Sequence, residues 1–198
     1  AFRVRIEEIA DSAVESDAAD RANEYRPVEV LPADAFRLVS KRLARMRREA
    51  AESLTPEGHA AQHRMRVAAE RLRYALELTG DALGSKAHSG RRAARGLQEV
   101  LGEIRDCDLG VPPARRAIAE LEADDVETII ERARGSRDLD PVLVQAAPNR
   151  AAYRGVELAV VHLLARRQML FERFKRLWME QSRQGVWVAL ETSLKVES

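Results

Sequence analysis

From Asp34 onward, Phe36, Val39, Leu43, Met46 and Ala50 recur at the three- and four-residue steps of one helix face. With Asp34 as N-cap, the pattern predicts a first helix to about Leu54. Thr55 followed by Pro56 reads as the start of a second helix, since proline suits the first helical position. Its apolar stripe is Met65, Ala68, Ala69, Leu72, Ala75 and Leu76, and Gly80 is its expected stop. A third helix is predicted from about Lys86 to Cys107, with Leu97, Val100, Leu101 and Ile104 facing inward. Pro112 and Pro113 are expected to end that run, with a weaker helix over about Ala114 to Arg134. Gly135 to Asn149 reads as a loop or insertion. The last helix is long, from about Ala151 to Gln184. It is expected to be buried through Val156, Val160, Leu163, Leu164, Leu170, Phe171, Phe174 and Trp178. Strand signals are confined to residues 2–6 and 186–190. The expected fold is all-α, a bundle of about four to five main helices over residues 27–184. An N-terminal extension (1–26) precedes the bundle and a C-terminal tail (185–198) follows it.

The 198 residues suffice for one domain with a sizeable core. One third of them are charged, and the most apolar stretch, Val156 to Ala165, is interrupted by Glu157 and His162, so no membrane partner is expected. A single cysteine, Cys107, cannot form an internal disulfide, which points to a reducing, cytoplasmic setting. The net charge of +1 conceals four blocks: −5 over residues 1–36, +7 over 37–105, −4 over 106–150 and +3 over 151–198. An anionic partner would meet the basic blocks rather than the average. Their base is almost entirely arginine, 29 against 4 lysines, and arginine's rigid fork of donors suits phosphate and carboxylate oxygens.

At 100° per residue, His63, Arg66, Glu70 and Arg73 fall within about 80° of one another, beside the apolar stripe of the second helix rather than opposite it. Arg64 and Arg71 point elsewhere and read as solvated. On the third helix Arg91, Arg95, Gln98, Gly102 and Arg105 share one face next to its stripe. Gly102 costs a helix interior roughly 1 kcal/mol relative to alanine, so the close approach of a backbone or a ligand is expected there. His162, Arg166 and Arg173 repeat the arrangement on the last helix. Rows of arginine on one helix face repel, and carboxylates or a polyanion must neutralise them. Periodicity alone leaves open a set of solvated, salt-bridged faces.

Residues 63–77, His-Arg-Met-Arg-Val-Ala-Ala-Glu-Arg-Leu-Arg-Tyr-Ala-Leu-Glu, resemble the signature helix of the CHAD family, the conserved histidine α-helical domain, roughly H-x-x-R-V-x-x-[RK]-R-L-R. Residues 97–108, Leu-Gln-Glu-Val-Leu-Gly-Glu-Ile-Arg-Asp-Cys-Asp, are similar to its second block, L-x-x-x-L-G-x-x-R-D-x-D. The run Arg166 to Phe174, through Trp178, resembles its last helix, so the likeness covers about residues 27–184 as one unit. The resemblance implies a non-catalytic helical module that binds inorganic polyphosphate, with polyphosphate granules as one address. It assigns His63, Arg66, Arg71 and Arg73 from the signature. It assigns Arg105 from the second block, with Asp106 holding Arg105 or capping the helix end. Arg71 is assigned by resemblance only. Glu70 departs from the pattern, standing where the family usually has a base. By analogy with nucleic acids, about six phosphate contacts would cost roughly a thousandfold in affinity between ~50 and ~200 mM salt. A histidine near its reference pKa of about 6.5 would make binding strengthen as the pH falls.

Tyr74 is the one aromatic placed to stack on a base, so specific nucleic-acid recognition is not expected. An enzyme is the second class. His59 and His63 have metal-ligand spacing, but no third ligand follows convincingly, and neither a P-loop nor a G-x-S-x-G elbow is present. A phosphohistidine at His63 or His162 is chemically conceivable. Cys107 reads as a small residue near a helix end rather than a nucleophile. No metal and no cofactor are expected. The third class is a helical interaction module that pairs with a protein partner or with itself as a homodimer, with Trp178, Trp187 and Val186–Leu190 supplying apolar contact.

Overall fold

A computed structural model describes residues 32–78, 84–134 and 141–196. The extension over 1–26, the strand signal at 2–6 and the Gly80 stop fall outside these. Among the described residues six helices follow one another: α1 (Pro32–Ser53), α2 (His59–Leu78), α3 (Gly84–Ala133), α4 (Pro141–Gln145), α5 (Arg150–Arg183) and α6 (Val186–Val196). No strand occurs among the described residues, and the fold is all-α.

The stripes read from the sequence form a single core. Val39, Leu43 and Met46 of α1 meet Met65, Leu72 and Leu76 of α2. Leu97, Val100, Leu101 and Ile104 of α3 close over them with Leu170, Phe171 and Phe174 of α5. α1, α2, the first half of α3 and the second half of α5 bury the faces on which their apolar residues recur, and that burial stabilises helices that would be marginal alone.

Four local expectations are corrected. Thr55 and Pro56 do not open α2. They lie in the turn after α1, where the Thr55 hydroxyl donates to the Glu52 carbonyl (2.9 Å) and the Thr55 carbonyl accepts from Gly58 N (3.1 Å) and Gln62 Nε2 (2.8 Å). Pro112 and Pro113 do not break the third helix, which is continuous for 50 residues. Each proline forfeits one ladder hydrogen bond. α5 nevertheless packs along α3, and Leu163 reaches to 3.1 Å of where a side chain on Gly110 would begin, so packing outweighs local propensity. Residues 186–190 are helical, not extended. Gly185, at φ +68°, turns the chain sharply out of α5, and Trp187, Leu190 and Leu194 of α6 then enter the core. Leu164 is exposed rather than buried.

Those placements bear on the residues suggested for self-pairing. Trp187 is buried, Trp178 is half-buried, and their rings stack at 6.0 Å, so both belong to the chain's own interior. Arg64 is not simply solvated. It donates to Glu49 (2.7 Å) and Glu52 (2.6 Å), which raises its pKa and ties α2 to α1.

Candidate functional site

The second helix holds Arg66 and Arg73 two turns apart, and α3 runs beside it with Arg95, Gln98, Gly102 and Asp106. Their side chains line an open groove of about 690 Å³, together with Glu99 and Glu103. Two of the edges expected from helical spacing therefore converge. At Gly102 a Cβ would meet no atom within 4 Å, so no protein backbone approaches there as expected. The glycine lowers one wall of the groove and leaves it wide at that point.

Polar contacts knit the two helices together across the groove. Arg73 Nε donates to Gln98 Oε1 (2.9 Å), and Gln98 Nε2 donates to Glu70 Oε1 (3.2 Å). Gln98 thus fixes Arg73 from one end of its amide and Glu70 from the other. Arg73 also donates to Glu77 (2.7 Å), and its guanidinium lies 4.2 Å from the centre of the Tyr74 ring. Arg66 lies 3.7 Å from Glu70. Arg95 donates to Glu99 (2.8 Å), which raises its pKa through that hydrogen bond and the attraction of Glu99. The groove is therefore lined by arginines that already hold carboxylates.

The third edge reaches the groove through one residue. Glu103 of α3 accepts from Arg166 Nη2 of α5 (2.8 Å) and lies 3.5 Å from Arg173 Nη1. Both α5 arginines are more than half exposed and stand at the rim, not among the lining residues. His162 is exposed on α5 and lies off the groove. His63, Arg91 and Arg105 are half-buried and do not line the groove, and Arg91 lies 3.4 Å from His88 Nδ1. Arg71 is exposed and does not line the groove, as its helical angle indicates. Asp106 lines the groove in mid-helix, so it has no helix end to cap. Cys107 is likewise far from a helix end and buried, and that burial pushes its thiol pKa up.

A second polar cluster, unforeseen from the sequence, lies where α2 begins. Arg167 donates to Asp108 Oδ1 (2.6 Å) and to Gln62 Oε1 (2.8 Å), with both charged side chains only about an eighth exposed. His59 Nδ1 lies 3.0 Å from Asp108 Oδ1 and 2.9 Å from Arg167 Nη2. That nitrogen accepts from the arginine or donates to the carboxylate, not both, so the tautomer decides which bond forms. The signal was available. Arg167 stands four residues after Leu163 and three before Leu170, on the apolar stripe, where an arginine needs a partner.

The family model for the CHAD domain matches residues 3–111. That span takes in both motif blocks and the groove walls on α2 and α3, begins within the stretch read as an extension, and stops short of α5. No curated protein and no solved structure matches the chain.

Proposed function

The chain belongs to the CHAD domain family, and from that membership and the groove we propose that it binds inorganic polyphosphate, or a similarly dense phosphate polyanion, without catalysing its reaction. The observation that carries the reading is the convergence of Arg66, Arg73 and Arg95, from two helices, on one open groove beside Gly102. Guanidinium forks pair with phosphate oxygens in two-point contacts, and a linear polyphosphate presents such oxygens at every unit. An open trough suits a polymer better than an enclosed metabolite. Its lining contains no aromatic ring on which a base could stack, which favours a chain without bases over single-stranded nucleic acid.

Binding has to displace the resident carboxylates from the arginines. Affinity then comes from charge density, and binding weakens steeply as salt rises.

The test is titration of the purified protein with long-chain polyphosphate, heparin and single-stranded DNA at two salt concentrations. Polyphosphate should bind at least about tenfold more tightly than the other two. Arg73→Ala and Arg95→Ala should each lower its affinity by roughly tenfold, while Arg71→Ala changes it less than about twofold. Equal binding of all three polymers, or equal loss in the Arg71 variant, would replace this reading with a generic basic surface. Binding to none of them would favour the interaction-module reading.

A further inference from the structure

Among the ion pairs around the groove, the one at Glu103 differs in kind. Arg66–Glu70, Arg73–Glu77 and Arg95–Glu99 each join residues four apart on one helix, so none of these ion pairs is itself a tie between helices. Glu103 instead lines the groove from α3 and bridges to two arginines of α5 that stand one above the other, seven residues apart. One carboxylate between two guanidinium groups is the arrangement a phosphate group would occupy. The carboxylate is partly exposed, and both arginines keep more than half of their side-chain surface open to solvent. None of the three is locked in place by burial.

We propose that Glu103 is an internal substitute for phosphate, a selectivity residue that holds Arg166 and Arg173 at the rim until a polyanion displaces it. This rests on the polyphosphate reading above. When phosphate oxygens take the place of the Glu103 carboxylate, Arg166 and Arg173 join Arg66, Arg73 and Arg95. The ligand is then held by three helices rather than two.

The consequence is selection by length. Glu103 is tethered, so its effective concentration at the two arginines is high, and a single phosphate or a short oligophosphate competes poorly against it. A long chain is already anchored by the α2 and α3 arginines, which makes its attack on the bridge intramolecular as well. The ligand class is therefore a linear phosphate polymer long enough to span from Arg73 to the α5 rim.

The experiment compares wild type, Glu103→Gln, Glu99→Gln and the triple variant Glu103→Gln, Arg166→Gln, Arg173→Gln, titrated with tripolyphosphate and with long-chain polyphosphate. Glu103→Gln should bind tripolyphosphate about tenfold more tightly than wild type and the long chain about threefold more tightly. Glu99→Gln, which frees only a partner on its own helix, should gain less than half as much on tripolyphosphate. The triple variant should lose the gain entirely. Unchanged or weaker binding by Glu103→Gln, beside a wild type that binds the long chain, overturns this inference and leaves the polyphosphate reading standing. A gain that persists in the triple variant overturns it too, by showing a general charge effect. No binding by either wild type or Glu103→Gln defeats both. Matching thermal melts for the four proteins separate these outcomes from unfolding.

Discussion

α3 and α5 are each built in two parts. Up to Cys107 on α3, and from Leu170 on α5, the inward apolar side chains are alanine, leucine, valine, isoleucine, phenylalanine and Cys107, in one core with those of α1, α2 and α6. Across residues 108–169, the buried side chains among those described are Asp125 and Val160. Val126, Ile130, Leu158 and Val161 are all more than half exposed there. The body has a fully buried apolar core, whereas the arm formed by the far half of α3 and the near half of α5 combines half-buried apolar contacts, such as Leu163 against Gly110, with a few polar ties. Arg167 and Asp108 fasten its base to α2 through His59 and Gln62, and Asp125 accepts the backbone N–H of Asn149, the residue that opens α5, at 2.9 Å. A helix can thus run unbroken through a change in what stabilises it, and continuity of secondary structure does not imply uniform stability.

The largest expected effect tests that division directly. Phe174 is fully buried in the body, and Phe174→Ala should cost about 3–5 kcal/mol through lost burial and the cavity left behind. Ile130→Ala in the arm removes a side chain that is already 58% exposed and should cost less than about 0.5 kcal/mol. Denaturant midpoints for the two variants measure both, and equal losses would show that the arm is buried in solution.

The base of the arm should respond next. Arg167→Met keeps the stem of the side chain but leaves Asp108 facing His59 without its cation. A fully buried broken pair costs about 3–5 kcal/mol; with both groups slightly exposed, about 2 kcal/mol is expected. Amide exchange should accelerate over residues 108–133 and 150–167 more than over α1. A uniform acceleration across the chain would mean that the arm and body unfold as one unit.

What the sequence made legible follows the same division. In the body, helix positions and core faces could be read because apolar residues recur there at helical spacing, from Phe36 to Ala50 and from Met65 to Leu76. In the arm, the pattern is sparse and Pro112–Pro113 predicts a break, yet the helix continues with α5 packed alongside. Arg66, Arg73, Arg95 and Gly102, whose helical angles place them beside the stripes, line one groove. Helical spacing groups Arg166 with His162 and Arg173, whereas the place of Arg167 on the apolar stripe marks it as the more buried of the two neighbours. Helical angle alone also could not reveal that Arg166 and Arg173 share a carboxylate with the groove, since Glu103 lies on another helix, 63 residues before Arg166. The closing residues, read as a tail, became legible only once Gly185 turned the chain and brought Leu190 against α3, where a Cβ on Gly90 would lie 2.9 Å from it.

The smallest expected effect concerns how that last helix is held. Beyond its buried Trp187, Leu190 and Leu194, α6 is fastened to α1 by an exposed ion pair, Arg47 to Glu191 (2.6 Å), and Lys195 lies 3.2 Å from the same carboxylate. The hydrogen bond and charge of Lys195, then those of Arg47, hold the Glu191 carboxyl below its ordinary value. A carboxyl whose pKa is lowered by folding stabilises the native state above its unfolded value. That contribution disappears as the pH falls through the folded value. Glu191→Gln should therefore lower Tm slightly at pH 7 and leave it equal to wild type once the pH is well below 4.5, with the gap closing as the carboxyl takes up its proton. Raising the salt concentration at pH 7 should shrink the same gap, because exposed pairs are screened. A difference that persisted at low pH or in high salt would show that Glu191 acts by packing against α1 rather than by charge, and that the body's last helix is held by shape alone.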